Sequence, residues 1–366
     1  MARLEEICDI LDSRRIPITA SDRKPGPYPY YGANGIQDYV SDYIFDDELV
    51  LLAEDGGNFG SKEKPIAYRV SGKCWVNNHA HVLKPKDMLD VDYLCYSLMF
   101  YDVSGLVNGA TRQKLTQADM RKMEIPLRSM SEQKRITAVI NKVSDLISLR
   151  KQQLAKMDEL VKTRFVELFG TESEFDKWPC CTIGDVADVC VGVVIKPTQY
   201  YTDKGIPAFR SLNIGEMRVK DSDWVYFTEE GHQKNQKSVV HKNDVLVVRS
   251  GAPGIACVAT EKYDGYNAVD IIIAHPDNNK VNSIFLAAFT NMPHGMNQIR
   301  ERTGGAAQQH FNVGGYKAMR LIMPSIELQN RFATFVEQTD KSKVVVQKAL
   351  DEAQTLFDSL MQQYFS

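Results

Sequence analysis

The chain has 366 residues, 43% hydrophobic and 25% charged, enough apolar material for a sizeable core and a composition outside the disordered, fibrous and collagen-like classes. At roughly 100–200 residues per domain, two or three domains are expected. The formal net charge of -3 rules out a uniformly basic protein, so a polyanionic partner would have to be met by local patches.

No run of about 18 apolar residues occurs, and the first thirty residues, with Glu5, Glu6, Asp9, Asp12 and Asp22, lack the basic-then-apolar layout of a signal peptide. A soluble, cytoplasmic protein with no membrane partner is therefore expected. The seven cysteines are scattered and contain no C-x-x-C pair, which argues against a disulfide framework, a zinc ribbon and a redox motif. His79 and His81 are the one close histidine pair and no H-E-x-x-H occurs, so no structural metal is expected. Charge is unevenly spread: residues 108–170 carry 13 basic against seven acidic side chains.

In chain order, the first half opens with a short strand pattern at Leu4–Ile10 and the aromatic cluster Tyr28-Pro29-Tyr30-Tyr31-Gly32, for which packing on a sheet edge is the expected role. β-branched and aliphatic runs follow at Leu49–Leu52, closed by Asp55-Gly56, and at His79–Leu83, introduced by Val76-Asn77-Asn78. Such runs bounded by Gly, Pro, Asn and Asp read as strands joined by turns. Asn77, Asn78 and later Asn267 are expected to satisfy local backbone groups at strand ends. The loop NGATRQKL at Asn108–Leu115 leads to Ile125-Pro126 and then to a Gln133-x-Arg135 start of a long helical pattern.

The second half repeats this order about 196 residues later. Ile183–Val189 corresponds to the opening strand, Val245–Val248 with Ser250-Gly251 to the central strand and turn, and Asn267 with Ala268–Ile273 to the second run. GGAAQQHF at Gly304–Phe311 corresponds to the loop, and Met323-Pro324 with Gln329-x-Arg331 to the helix start. In the first helix, apolar positions fall at Ile136, Val139, Val143, Leu146, Leu154, Met157, Val161, Phe165 and Leu168. In the second, the seam holds Phe332, Phe335, Val346, Leu350, Ala353, Phe357, Met361 and Tyr364. Three-and-four spacing over nearly forty residues describes a coiled-coil-like seam, with the other copy as antiparallel partner. The expected fold class is α/β (α+β): two pseudo-repeated α/β domains separated by two long antiparallel spacer helices. The expected boundaries are 1–130, helix 131–170, 171–325 and helix 326–366.

Motifs of self-contained chemistry are absent from the sequence. There is no G-x-x-x-x-G-K-[ST] for nucleotide phosphates, no G-x-S-x-G elbow and no Asn- or Asp-Pro-Pro-Tyr/Phe of an amino-methyltransferase. Loops are instead rich in side chains that bond base edges or hold phosphates. In the first half these are Asn34, Asn58, Lys62, His79, His81, Arg112, Gln113 and Lys114. In the second they are Lys196, Arg210, Asn213, Arg249, Ser250, Gln308, Gln309 and His310. Side-chain pairing rules suggest Arg112 or Arg249 on guanine and Gln113 or Gln309 on adenine.

The runs YPYYGANGIQDYV (Tyr28–Val40), LVLLAEDG (Leu49–Gly56), VNNHAHVL (Val76–Leu83), FRSLNI (Phe209–Ile214) and VVRSGAPG (Val247–Gly254), with the two Pro-then-Gln-x-Arg helix starts, resemble the specificity (S) subunits of type I restriction-modification systems. The resemblance covers nearly the whole chain. It implies a noncatalytic DNA-binding subunit whose two target recognition domains each read one half of a split double-stranded site. Dissimilar domains imply an asymmetric site, with the spacer helices setting the gap. Methyltransferase (M) subunits, two of them, would dock on the helices through Ile136, Val139, Val143, Leu146, Met157, Phe332, Phe335, Val346, Leu350 and Phe357. Restriction (R) subunits would join them. No cofactor is expected in this chain, S-adenosylmethionine, ATP and Mg being expected on the partners. Alternatives left open are an orphan or related modification system without an R subunit, a self-contained DNA-modifying enzyme with its own cofactor pocket, and a pure protein scaffold.

Overall fold

The computed structural model describes residues 1–109, 113–303 and 310–365. The chain divides into two compact units, Met1–Lys151 with Lys348–Ser366, and Gln152–Gln347. The long helices α2 (Met130–Phe169) and α4 (Ile326–Phe365), 40 residues each and about 60 Å at 1.5 Å per residue, each contribute one end to each unit.

The first unit is built on a six-stranded sheet. Its strands are β1 (Cys8–Ile10), β2 (Pro25–Gly32), β3 (Gly35–Val40), β4 (Phe45–Ala53), β5 (Ala67–Val76) and β6 (Ala80–Pro85), in the order β1-β6-β4-β5-β2-β3. All neighbours are antiparallel except β2 with β5. The central strand β4 is covered on both faces, which is why it reads as the unbroken run Leu49–Ala53. Val50 and Leu52 face a core with Tyr93, Leu94 and Leu98 of helix α1 (Val91–Met99), whereas Leu49 and Leu51 face Val70, Val76 and Val82. The aromatic cluster packs the sheet edge as expected: Tyr30 is buried beneath the Arg23 guanidinium, 4.3 Å above its ring, and Tyr28 meets Tyr43 edge-on at 5.0 Å.

The second unit holds two four-stranded sheets. One takes β7 (Ala187–Val191), β11 (Val245–Val248), β12 (Ala256–Val258) and β14 (Ile271–Pro276) in the order β7-β14-β11-β12. The other takes β8 (Tyr201–Thr202), β9 (Ile206–Phe209), β10 (Val225–Phe227) and β13 (Asn267–Ala268) in the order β8-β10-β9-β13. Alternation again splits a central strand between two cores: Val245 and Val247 face helix α3 (Ser283–Asn291), while Leu246 and Val248 face Phe209 and Tyr263.

The repeated Gln-x-Arg start has a physical explanation. The Asp90 side chain caps α1 by accepting from the Tyr93 N–H at 3.0 Å, and Asn282 caps α3 by accepting from the Ile284 N–H at 2.9 Å. The backbone N–H of each cap residue then donates to a glutamine at the start of a long helix, Asp90 to Gln133 Oε1 (2.8 Å) and Asn282 to Gln329 Oε1 (2.9 Å). Gln133 Nε2 returns bonds to the Met88 and Arg128 carbonyls, and Gln329 Nε2 to the Pro324 carbonyl. Both glutamines are fully buried.

In the second unit the helices run antiparallel, Phe165 meeting Phe332 at 5.5 Å between ring centroids and Asp158 meeting Lys343 at 2.8 Å. The seam in the first unit is rotated by one position from the expected stripe. Ile140 and Ile147 are buried with Ile136 and Val143, whereas Val139 and Leu146 are 43% and 39% exposed. Steps of four, three and four keep one face of a 3.6-residue helix against the sheet-bearing body.

Gln133→Ala and Gln329→Ala are each expected to lower unfolding stability by about 2–3 kcal/mol, because a buried N–H and at least one carbonyl lose their partners. Urea unfolding beside the exposed Gln338→Ala, expected within about 0.5 kcal/mol of the parent, checks this.

Candidate nucleic-acid interface

In the first unit, β4 runs on past Ala53 into Glu54, Asp55 and Gly56. The Glu54 N–H donates to the His79 carbonyl at 2.9 Å, holding the start of β6 beside it. The chain returns at Gln113–Leu115: the Leu115 N–H donates to the Glu54 carbonyl (2.7 Å), and Asp55 bridges Lys114. Asn34 Nδ2 adds a bond to the Gly56 carbonyl at 3.0 Å. Three segments distant in sequence thus meet at one strand end, a common place for binding residues on a rigid scaffold. There His79 Nδ1 lies 2.6 Å from Asp55 Oδ1, and Glu54 is bracketed by Arg15 Nη1 (2.6 Å) and Lys114 Nζ (3.0 Å).

The second unit builds the same scaffold with different chemistry. The Phe311 N–H donates to the Arg249 carbonyl (3.0 Å), and Ser250 bridges His310, so Arg249 stands where Glu54 stands and Ser250 where Asp55 stands. Asp270, one residue before β14, takes the place of His79. Arg249 Nη1 meets Asp270 Oδ1 at 2.6 Å, and Nε donates to the Phe311 carbonyl at 3.2 Å. Ser250 Oγ lies 3.3 Å from Asp270 Oδ2 and 2.8 Å from His310 Nδ1. Asp270 sits at φ 49°, a left-handed conformation that Asp tolerates better than most residues. Its ion pair and hydroxyl bond hold it there.

Burial corrects two of the expected contacts. His81 is fully buried, with Nδ1 2.6 Å from Asp12 Oδ2 and Nε2 3.0 Å from the Leu115 carbonyl. Both nitrogens are engaged inside the protein, so His81 supports the interface from within instead of touching a ligand. Asn213, also fully buried, accepts from the Arg210 N–H (2.9 Å) and donates to the Ser222 carbonyl (2.7 Å). Arg210 is half-buried, Nη2 donating to the Asp223 carbonyl. Asn77 and Asn267 are buried strand-end residues, as expected.

Lys62, Gln113, Lys196 and His310 are exposed and Asn58 is half-buried. Arg112, Gln308 and Gln309 lie outside the described residues. The expected partner-binding positions Ile136, Val143, Phe332, Val346 and Phe357 are covered by the chain's own packing, because an apolar seam this long finds its partner within the fold. Met157, Phe335 and Leu350 are half-buried, and Val139 and Leu146 stay exposed.

Asp55, Glu54, Arg15 and Asp270 were not apparent from the sequence, where isolated acids and bases carry no signal. Also unanticipated is an apolar tip beside the second cluster. Val193 bridges Val269, its carbonyl accepts from the Asp270 N–H at 3.2 Å, and the following Val194 and Ile195 are 46% and 79% exposed. Among the described residues, Asp12, Glu54 and His81 form the one group whose ligand atoms lie within 4.8 Å of one another. Arg15, 3.4 Å from Asp12 Oδ2 and 2.6 Å from Glu54, supplies its counter-charge. Burial raises both carboxyls, but hydrogen bonds outweigh it: His81, Gln117 and the Val82 N–H on Asp12, and Arg15 and Lys114 on Glu54, leave both below the usual range.

Residues 1–159 match the family model of the type I restriction modification DNA specificity domain. A type I restriction enzyme specificity subunit of Haemophilus influenzae is 26% identical over 350 residues, covering 92% of this chain and 86% of its own. The chain is thus similar along most of its length to type I specificity subunits, and its first 159 residues match their DNA specificity domain. The StySPI specificity subunit of Salmonella potsdam is 21% identical over 343 residues, 86% of this chain and 72% of that one. The solved S subunit of M. genitalium shares the fold over 100% of this chain and 95% of its own, at a TM-score of 0.63 and 15% identity. The fold is mixed helix and sheet, and no helix of the described residues is long and apolar enough to cross a membrane.

His81→Ala is expected to lower stability by about 3 kcal/mol, because the buried Asp12 loses a charge-assisted bond; Lys62→Ala is expected to stay within about 0.5 kcal/mol. Both are read from denaturant unfolding. Since Asp12 and Glu54 titrate lower in the folded than in the unfolded chain, their contribution is present in full above their ordinary values of 3.8 and 4.5. It is lost as pH falls through the folded values. An acid titration of the melting temperature should therefore fall less steeply in Asp12→Asn than in the parent.

Proposed function

We propose that this chain is a type I specificity subunit that reads a split, asymmetric double-stranded DNA site, the strand-end cluster of each unit reading one half. The observation that carries this is the pair of clusters on one backbone plan with unlike side chains, Arg249 standing where Glu54 stands: Glu54, Asp55, His79 and Lys114 in one unit, Arg249, Ser250, Asp270 and His310 in the other. A guanidinium offers paired donors to guanine, a carboxylate accepts from the cytosine amino group, and an apolar tip such as Ile195 suits a thymine methyl. Two unlike clusters therefore favour two unlike half-sites.

The remaining assignments rest on similarity to the family and on sequence. Two M subunits would dock on the long helices, where Val139, Leu146 and Leu149 keep exposed apolar side chains, and the helices would set the unread gap. The chain itself would be noncatalytic, with S-adenosylmethionine, ATP and Mg on the M and R partners, and the assembly would act in the cytoplasm. The basic stretch 108–170 and the partners together would neutralise phosphates.

Co-expression with the modification subunit encoded beside this chain, followed by single-base mapping of methylated adenines, is expected to reveal one split motif, methylated on both strands and lost when this chain is omitted. Arg249→Ala is expected to relax one half only, at about 1–3 kcal/mol of discrimination. An assembled complex that adds no methylation overturns the reading, and a motif unchanged in both halves removes Arg249 from it.

A further inference from the structure

Away from the strand-end cluster, β14 carries a second constellation near its other end. His275 Nδ1 lies 2.7 Å from Asp244 Oδ1, and Nε2 faces Cys190 Sγ of β7 at 3.6 Å. Asp244 is nearly buried, and its second oxygen accepts from the His241 N–H at 2.6 Å, so the carboxylate cannot swing away. Cys190 is half-buried and donates to the Lys237 carbonyl at 3.1 Å; the His275 ring is 30% exposed, leaving the pair open to a small solute. A carboxylate that orients a histidine, which in turn faces a sulfur, is the general arrangement of an activated thiol. The Asp244 bond, reinforced by Cys190, pushes His275 up to about 10, which keeps the ring protonated at neutral pH.

The other cysteines differ. Cys8, Cys74, Cys95 and Cys257 are buried, and burial pushes each thiol up to about 12. Burial also raises Cys181. Cys180 is half-buried, donates to the Trp178 carbonyl at 3.4 Å and lies beside Arg320. None of these six has a histidine bond among the described contacts.

We propose that Cys190, His275 and Asp244 form a nucleophilic thiol site at which hydrogen peroxide oxidises Cys190 to a sulfenic acid. Sulfur attacks peroxide as the thiolate, so the Cys190 S–H first gives its proton to solvent, exchanging its bond to the Lys237 carbonyl for the charge of the neighbouring His275 ring. The sulfur attacks one peroxide oxygen, the S–O bond forms and the O–O bond breaks. The departing hydroxide takes the Nε2 proton of His275 and leaves as water. Sulfur is oxidised by two electrons, peroxide is reduced, and the ring is left neutral on Asp244. The site is independent of DNA recognition.

The test treats the full chain with hydrogen peroxide in the presence of dimedone, which traps sulfenic acids, and quantifies adducts by mass spectrometry. Cleavage before aspartates separates Cys190 from Cys180 and Cys181, since Asp185 and Asp188 lie between them, and peptide fragmentation between Cys180 and Cys181 assigns the adducts of those two. Cys190 is expected to label at least about tenfold faster than Cys181, and His275→Gln to slow Cys190 about tenfold while leaving Cys181 unchanged. Protection of Cys257 reports that the variant is folded. Equal labelling of Cys190 and Cys181 in the parent overturns the proposal, as does an unchanged Cys190 rate in folded His275→Gln; if the variant exposes Cys257, the parent ratio decides alone.

Discussion

A buried glutamine joins each long helix to the body that precedes it. Gln133 and Gln329 each accept the backbone N–H of a helix cap and return a bond to a nearby carbonyl. In a dry environment such groups cannot fall back on water, so the bonds are expensive to leave unmade and their geometry is restrictive. Apolar packing alone would hold the helices in place but tolerate rotation. The glutamines choose one rotation, and with it which apolar side chains are buried and which, like Val139 and Leu146, stay exposed.

The same economy of backbone appears at the strand ends. In both units a central strand split between two cores leads out to a pair of residues, met by the start of a neighbouring strand and by a returning segment. The scaffold is held by main-chain bonds, which are indifferent to side-chain identity, so the chemistry on it is free to differ. Glu54 requires cations and finds Arg15 and Lys114; Arg249 requires an anion and finds Asp270. A plan that separates support from recognition suits the proposed reading of different sequences by related domains.

Strand β14 shows how one element can serve two kinds of chemistry. Its middle, Ile271–Ala274, is fully buried between two cores, so polar groups collect only towards its ends: Asp270 against Arg249 at one, His275 against Asp244 and Cys190 at the other. At about 3.3 Å per residue the two are roughly 15 Å apart along a rigid strand.

Much of this was legible in the sequence. The repeat of loop, proline and Gln-x-Arg start, the two long helices and the α/β bodies follow from patterns that short-range physics imposes: apolar spacing, turn residues and caps. The importance of Gln133 and Gln329 was visible only as recurrence, since the bonds that explain it reach 43 and 47 positions back along the chain. Likewise the sequence could offer His79, Arg249, Ser250 and His310 as polar loop residues, but could not tell them from His81 and Asn213, which have the same chemistry and face inward. Burial is a property of how sheets and helices stack, and partners such as Asp55, Asp270 or the Asp244–His275–Cys190 group become neighbours only after strands pair. Local pattern therefore determined the elements and their order, while tertiary packing decided which side chains meet, because charge and hydrogen-bond chemistry act through space and not along the chain.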